Sequence, residues 1–292
     1  MQTKSKWSGH MDKIRKAVIP AAGLGSRMYP LTRAQPKEML PVLDKPVIQY
    51  VVDEALSAGL DEILIIVGKG KESIINYFDR TELDLKLDAK PDFPEVFFVR
   101  QREQKGLADA VKYAKKFVND EPFLVLAGDT IYKSNTEKTV AQQIIDVFNR
   151  KSSTAIGLEK VPMEKVGHYG IIKGDEVEKG LHLIKDMVEK PEISEAPSNL
   201  AITAAYALQP DIFNFIDKIK PGKNNEYQLT DALNLMCKER DVFGIEIDGK
   251  RYDIGSKEFW VETFIEFARE DGRFSHVFKN FDNLHKTQPP KQ

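Results

Sequence analysis

A tight glycine turn followed by two fixed cations is the arrangement in this chain with the clearest capacity for chemistry. Ala17-Val18-Ile19 reads as a short buried strand. After it, Ala21, Ala22, Gly23 and Gly25 let the backbone turn sharply and approach a ligand with no bulky side chain in the way. Such a turn exposes N–H groups, and Arg27 and Lys37 add positive charge beside them. Peptide donors plus cations suit a nucleotide whose phosphates lie along the backbone and are clamped from the side. Two familiar alternatives fail on position. A dinucleotide fingerprint needs a third glycine where Met28 stands, and Arg27 intrudes on the helix packing it requires. Gly68-Lys69-Gly70-Lys71 is not a Walker-type loop, because Glu72 takes the place of the metal-binding Ser or Thr and no glycine stands five residues before Gly70.

The elements that must position these groups alternate along the chain. Asp44 is placed to cap a helix begun by Pro46, with Val47, Ile48, Val51, Val52, Ala55 and Leu56 inward and Gly59 ending it. Ile63 to Val67 is a continuous apolar strand, Glu72 to Phe78 a short helix, Thr81 to Pro94 a solvated excursion and Val96 to Val99 a further strand. Gly106 to Val118 has the spacing of one amphipathic helix. Phe123 to Ala127 is a strand running into Gly128-Asp129-Thr130, so an acidic residue stands at the carboxyl end of a parallel strand, where open α/β sheets hold ligands. A helix over Val140 to Phe148 and a strand over Thr154 to Leu158 continue the alternation, which predicts a parallel sheet with helices on both faces.

From His168 the chain becomes rich in strands. His168 to Ile172, Leu183 to Val188 and Ala201 to Leu208 are expected to pair antiparallel, as a lid or sugar-facing part over the nucleotide half. Helices over Asp211 to Lys218 and Tyr227 to Glu239 are followed by strands over Val242 to Ile247 and Arg251 to Ile254. Ser256 then caps a long final helix carrying Phe259, Trp260, Phe264 and Phe267. Met1 to Asp12 reads as a loose extension, and the polar tail from Lys279 as a fraying one.

Composition narrows the function classes. The 292 residues are 41% apolar, enough to fill the core of a large α/β domain. The 43 Lys and Arg nearly balance 45 Asp and Glu, so a net charge of −2 gives no general attraction to nucleic acid or to an anionic membrane. The single Cys237 forms no intrachain disulfide, and no Cys/His cluster has zinc spacing, which points to a reducing, cytoplasmic setting. No apolar run reaches the ~18 residues of a membrane span, and the first dozen residues lack a signal peptide's apolar region.

Further motifs extend the opening loop into an ordered set. Ala17 to Arg27, Pro36-Lys37-Glu38-Met39-Leu40-Pro41 and Asp44-Lys45-Pro46 come first. Val99-Arg100-Gln101, Lys105-Gly106-Leu107, Gly128-Asp129, Tyr169-Gly170 and Val188-Glu189-Lys190-Pro191 follow, then Ala196-Pro197-Ser198-Asn199-Leu200, Glu226-Tyr227-Gln228-Leu229-Thr230-Asp231 and Gly249-Lys250-Arg251-Tyr252-Asp253. Over roughly residues 13 to 270 this order closely resembles the bacterial and archaeal UTP:glucose-1-phosphate uridylyltransferases.

The resemblance implies a Rossmann-like doubly wound mixed sheet, with a β-rich sugar-binding part and C-terminal helices. Residues 13–150 would form the nucleotide-binding half, 151–255 the sugar-binding half and 256–270 a C-terminal helix, flanked by an extension over 1–12 and a tail over 271–292. It implies transfer of a uridylyl group from UTP to glucose 1-phosphate, giving UDP-glucose and pyrophosphate, with Mg²⁺ as cofactor. By resemblance Arg27 and Lys37 act on the triphosphate. Ala21, Ala22, Gly23, Gly25, Gln101 and Gly106 hold the nucleotide. Gly170, Glu189, Lys190 and Asn199 face the sugar phosphate, and Asp129 and Asp253 hold the metal through hard carboxylate oxygens. Arg27, Lys37, Asp129 and Lys190 are the catalytic set. Family members commonly self-associate, so a homodimer or homotetramer is expected.

Two departures stand out: Thr130 replaces the second acid of the usual Gly-Asp-Asp, and Ser256 replaces the usual Asp after the Asp-x-Gly turn. A glycosyltransferase using a preformed UDP-sugar would want Asp-x-Asp where this chain has Gly128-Asp129-Thr130-Ile131. A thymidylyltransferase is the nearest alternative, since uracil and thymine share a hydrogen-bonding edge. A catalytically silent sugar-nucleotide sensor would have no need of the full set of phosphate-clamping residues.

Overall fold

The computed structural model describes residues 13–82, 86, 94–222 and 225–279. In chain order, β1 (Lys16–Ala21) leads through a short hairpin, β2 (Pro41–Val42) and β3 (Lys45–Pro46), into α1 (Val47–Ser57). Then come β4 (Glu62–Val67), α2 (Glu72–Phe78), β5 (Val96–Arg100), α3 (Leu107–Lys112), α4 (Lys115–Val118), β6 (Phe123–Leu126) and β7 (Thr130–Ser134). The rest is α5 (Val140–Lys151), β8 (Ala155–Lys160), β9 (Gly170–Glu178), β10 (Leu181–Glu189), β11 (Leu200–Leu208), α6 (Ile212–Ile216), α7 (Leu229–Glu239), β12 (Phe243–Glu246), β13 (Gly249–Asp253) and α8 (Lys257–Glu270).

Both faces of the central strands are covered, which is why they read as unbroken apolar runs. Ala17 and Ile19 of β1 join Ile63, Ile65, Leu124 and Leu126 in one core with α1 and α5 residues such as Ile48, Val52, Ile144 and Phe148. Val18, Leu64, Ile66 and Val125 point the other way, into a core with Ala110, Val111 and Leu233. Helices therefore pack on both sides of a nine-stranded sheet of order β5-β4-β1-β6-β11-β8-β12-β10-β9. Strands β5, β4, β1 and β6 run parallel. Strand β11 turns the direction, pairing antiparallel with β6 on one side and β8 on the other.

The structure corrects several expectations. Of the lid or sugar-facing part expected from β9, β10 and β11, the lid does not form: these strands continue the same sheet, with β11 hydrogen-bonded directly to β6. Asp44 does not cap α1, whose first residue follows Pro46 without a side-chain cap. Leu43 takes a left-handed φ of 58°, closing the β2–β3 hairpin and turning Asp44 outward, where it accepts from Arg273 Nη1 at 2.9 Å. The helix expected over Gly106 to Val118 is two helices. Tyr113 and Ala114 bond back only three residues, to Ala110 and Val111, and this tightened turn divides α3 from α4. Ser256 does cap α8, accepting from Phe259 N–H at 3.3 Å. The extension over 1–12, most of Thr81 to Pro94 and the tail from residue 280 lie outside the described residues. Among the described residues no helix is long and apolar enough to cross a membrane.

Two local features aim residues at the carboxyl ends of the parallel strands. Ala204, inside β11, holds a left-handed φ of 62° where the β11–β8 register breaks, and its carbonyl accepts from Ala127 N–H at 3.1 Å, just past β6. The separate pair β7–β13 was only half legible, since β7 has no run of its own long enough to stand out. It sets Thr130 opposite Asp253, and Ile254 N–H donates to the Asp129 carbonyl at 2.9 Å. Two acids more than 100 residues apart in sequence thus meet at one sheet end.

Candidate active site

A cavity of about 480 Å³ opens over that sheet end, lined on one side by the glycine turn and on the other by β9, β10 and β11. Gly25 sits at a φ of 66°, and a Cβ there would stand 3.0 Å from Thr32 Cγ2, whose hydroxyl donates to the Gly25 carbonyl at 2.9 Å. Gly25→Ala is therefore expected to lower stability by about 1–2 kcal/mol, the strain of a left-handed residue with a Cβ, read by urea denaturation. Gly128 is constrained by proximity instead, since its Cβ would lie 3.0 Å from the Pro20 carbonyl oxygen. Pro36 opens a single 3₁₀ turn over Lys37–Met39, fixed by Met39 and Leu40 N–H bonds to Pro36 and Lys37 carbonyls. Buried Leu40 anchors that turn and sends Lys37 over Gly23, whose Cβ would meet the ammonium at 3.7 Å.

Lys37 pairs with Asp129 in the cavity wall. Burial pulls the Lys37 pKa down, but the charges of Asp129, Glu38 and Asp253 and the Asp129 hydrogen bond outweigh it and hold it up at about 12. Burial likewise raises Asp129, and the Lys37 ammonium overrides it, leaving that carboxyl below its ordinary value. Asp253 moves the other way: burial first, then the Asp129 charge, push it up. Arg27 completes the corner, since a Cβ on Gly255 would touch both Asp253 Oδ1, at 2.7 Å, and an Arg27 guanidinium nitrogen, at 2.9 Å.

Across β10 and β11 the lining becomes polar. Lys190, at a left-handed φ of 48° and with its N–H bonded to the Tyr169 carbonyl at 2.9 Å, sets its ammonium 3.2 Å from Glu189 Oε1. The other Glu189 oxygen accepts from the Thr230 hydroxyl at 2.7 Å, and a Cβ on Gly170 would fall 2.9 Å from that hydroxyl. Gln101, Gly106, Ala22 and Gly23 line the opposite part of the same cavity.

The cavity thus brings together Ala22, Gly23, Gly25, Arg27, Lys37, Gln101, Gly106, Asp129, Gly170, Glu189, Lys190 and Asp253, but two sequence candidates do not line it. Ala21 is buried in the core beneath the turn, where its side chain packs with Ile19 and Val67. Asn199 lies beyond the cavity rim, its carbonyl accepting from Val161 N–H at 3.0 Å. Other lining groups carried no role in the sequence. Glu38 is 1% exposed and forms a buried pair with Lys71, 2.6 Å apart. Arg251 pairs with Glu159 and lies 4.3 Å over the Tyr169 ring. Lys71 stood in the sequence only as part of a failed Walker loop; no linear signal marks a lysine whose partner is 33 positions away.

Glu176, His182 and Glu246 gather at the far sheet edge within 4.8 Å of one another, but they are closed on themselves. His182 Nε2 lies 2.9 Å from Glu246, Glu246 also holds Lys160, and Glu176 accepts from Gly180 N–H.

Comparison with known proteins fits this geometry. Residues 16–269 match the model of the nucleotidyl transferase family. A UTP–glucose-1-phosphate uridylyltransferase of Staphylococcus epidermidis is 43% identical over 284 residues, 93% of this chain and 98% of the relative. A crystal structure of UDP-glucose pyrophosphorylase complexed with UDP-glucose is 38% identical, with a TM-score of 0.84 over 88% of this chain and 100% of that one. UTP-bound UGPase from Acinetobacter baumannii is 32% identical, with a TM-score of 0.83 over 94% of this chain and 100% of that one. With a matching family model over most of its length and a cavity that gathers cations and carboxylates at the switch between parallel and antiparallel strands, this chain belongs to the nucleotidyl transferase family.

Proposed function

We infer that this enzyme transfers a uridylyl group from UTP to glucose 1-phosphate, releasing pyrophosphate and forming UDP-glucose. The observation that carries the reading is one cavity holding two separate phosphate-directed groups, the Arg27–Lys37 corner and Lys190 beside Glu189. The sugar phosphate attacks the α-phosphorus in line, and two anions must be brought together to do so. Unit charges about 4 Å apart repel by roughly 4 kcal/mol at an effective dielectric near 20, so the cations are needed before geometry can help. Arg27 and Lys37 take the charge of the departing pyrophosphate, while Lys190, a point charge on a flexible stem, guides the attacking phosphate. No protein nucleophile is required, since positioning and electrostatic stabilisation supply the rate.

The carboxylates fit a divalent cation. Asp129 and Asp253 are hard oxygen donors held at one sheet end, and Asp253 is pushed up by burial first and by the Asp129 charge second, the second of which a cation between the two would relieve. We assign them to Mg²⁺, which when bound would neutralise charge on the transferring phosphate. Thr130 is buried, leaving Asp129 as the acidic group of that turn. We read residues 13–150 as the nucleotide half and 151–255 as the sugar half, and the reaction as cytoplasmic. Exposed Val261 and Ile265, four residues apart on α8, support self-association as a homodimer or homotetramer, which light scattering tests.

Pure protein with Mg²⁺, UTP and glucose 1-phosphate is expected to release pyrophosphate; none released overturns the reading, and a preference for dTTP would make it a thymidylyltransferase. Lys190→Ala is expected to raise KM for glucose 1-phosphate by about tenfold or more, the scale of a lost charged hydrogen bond, with KM for UTP little changed. Steady-state kinetics in both substrates check it, and an unchanged sugar-phosphate KM would remove Lys190 from that role.

A further inference from the structure

Gln101 is 3% exposed yet lines the cavity, and its main chain is fixed by N–H donation to the Val67 carbonyl at 2.9 Å. Its side-chain Nε2 donates to Asp109 Oδ2 at 2.7 Å. Asp109 is the third residue of α3, half-buried just behind the cavity wall. A glutamine amide can present either its oxygen or its nitrogen, and at a binding site the choice decides which ligand edge it accepts. An ionised carboxylate only accepts, so Asp109 settles the choice: the NH₂ turns to it and the carbonyl oxygen is left as the amide's free acceptor. No described residue donates to that oxygen.

We propose that Asp109 is a specificity-determining residue, which locks Gln101 as a hydrogen-bond acceptor and thereby selects a uracil-type base against a cytosine-type one. Uracil carries an N3–H donor between two carbonyl oxygens, which pairs with the Gln101 oxygen. Cytosine presents N3 as an acceptor beside an amino group. To bind it, the amide must turn over and aim its oxygen at the Asp109 carboxylate, leaving two acceptors face to face without a proton between them. A lost donor–acceptor match in a buried site discriminates more strongly than a change of size does. Thymine shares the uracil edge, so Asp109 separates the two imino pyrimidines from cytosine and not from each other.

The inference rests on the assignment of Gln101 to the nucleotide base. The test measures the ratio of kcat/KM for UTP over CTP, with glucose 1-phosphate, in the wild type and in Asp109→Asn, Asp109→Ser, Gln101→Leu and the Gln101→Leu/Asp109→Asn double variant. Asparagine offers its own NH₂ to a turned Gln101, and serine keeps a polar helix start should the asparagine variant unfold. Asp109→Asn and Asp109→Ser are expected to lower the ratio by about tenfold or more, the weight of one hydrogen bond. The double variant should fall no further than Gln101→Leu alone, because Asp109 acts through Gln101. Were Asp109 only a favourable charge at the start of α3, its removal would slow both nucleotides alike and leave the ratio unchanged, which overturns the proposal. An unaltered ratio in Gln101→Leu removes the base assignment instead, and a wild type inactive with UTP removes the uridylyl-transfer reading.

Discussion

Asp129→Ala is expected to lower turnover with UTP and glucose 1-phosphate by about 10²-fold or more, the scale of a lost catalytic metal contact. The substitution removes two things at once. The cavity loses one of two carboxylates available to a divalent cation, and Lys37 loses the partner that contributes to its high pKa. These losses separate kinetically. A lysine released from its carboxylate is free to meet phosphate, so KM for UTP should stay level or fall while kcat drops, and the Mg²⁺ concentration for half-maximal rate should rise. A general collapse of the site would instead raise KM for UTP together with the loss of kcat. Steady-state kinetics across an Mg²⁺ titration distinguish the two, and near-normal turnover would take Asp129 out of the site altogether.

The second large effect is expected on stability. Lys71→Met keeps most of the side-chain volume but strands the Glu38 carboxylate, leaving a nearly inaccessible charge without its cation. Breaking a buried pair from one side typically costs about 3–5 kcal/mol. Urea denaturation is the measurement, and Glu38→Gln in the same chain should recover part of the loss, because the group left behind is then neutral. The pH dependence carries a definite sign. Burial already raises Glu38 above its ordinary 4.5 in the folded protein, and the Lys71 charge is the main influence pulling it back. Removing Lys71 pushes it higher, so folded Lys71→Met holds a proton that the unfolded chain releases. Its stability then falls as pH climbs from 4.5 through the raised folded value, and its deficit against wild type shrinks as pH is lowered through that window. A deficit independent of pH would mean that Glu38 is not the stranded group. Activity should fall too, since the Glu38 charge is one of those that hold up the Lys37 pKa.

What the sequence disclosed followed from local pattern. Ile63 to Val67 declared a buried strand by being apolar throughout, and Ser256 declared a cap by standing before an amphipathic helix. The glycine turn with Arg27 and Lys37 was legible because its parts lie within one short stretch, Gly23 to Lys37. Long-range partners were not. Nothing in Glu38 or Lys71 announces that a lysine from the β4–α2 connection reaches Glu38 beside Lys37, nor does α3 announce that Asp109 faces the end of β5. The same limit bears on the strands after Leu158, expected as a lid or sugar-facing part. Strand-rich sequence after Leu158 left both readings open, because a linear reading cannot see that β11 slots in beside β6, antiparallel to it, and continues the same sheet. Asp44 failed as a cap for a smaller reason, in that the left-handed Leu43 spends it on a hairpin turn.

That shared sheet has a bearing on which acceptors the enzyme can use. Strand β11 is bonded to β6 on one side and β8 on the other, and the Ala204 carbonyl ties it again to Ala127, two residues before Asp129. One continuous sheet therefore carries both the Arg27–Lys37 corner and Lys190, and on the proposed function the span between them would act as a ruler. On that reading glucose 1-phosphate would fit the ruler, because a single oxygen joins ring to phosphorus. A phosphonate analogue lengthened by one methylene would still satisfy both charges, yet its nucleophilic oxygen would be displaced by about one bond length, a misplacement that can cost on the order of 10²-fold in rate. Such an analogue should occupy the site and react poorly.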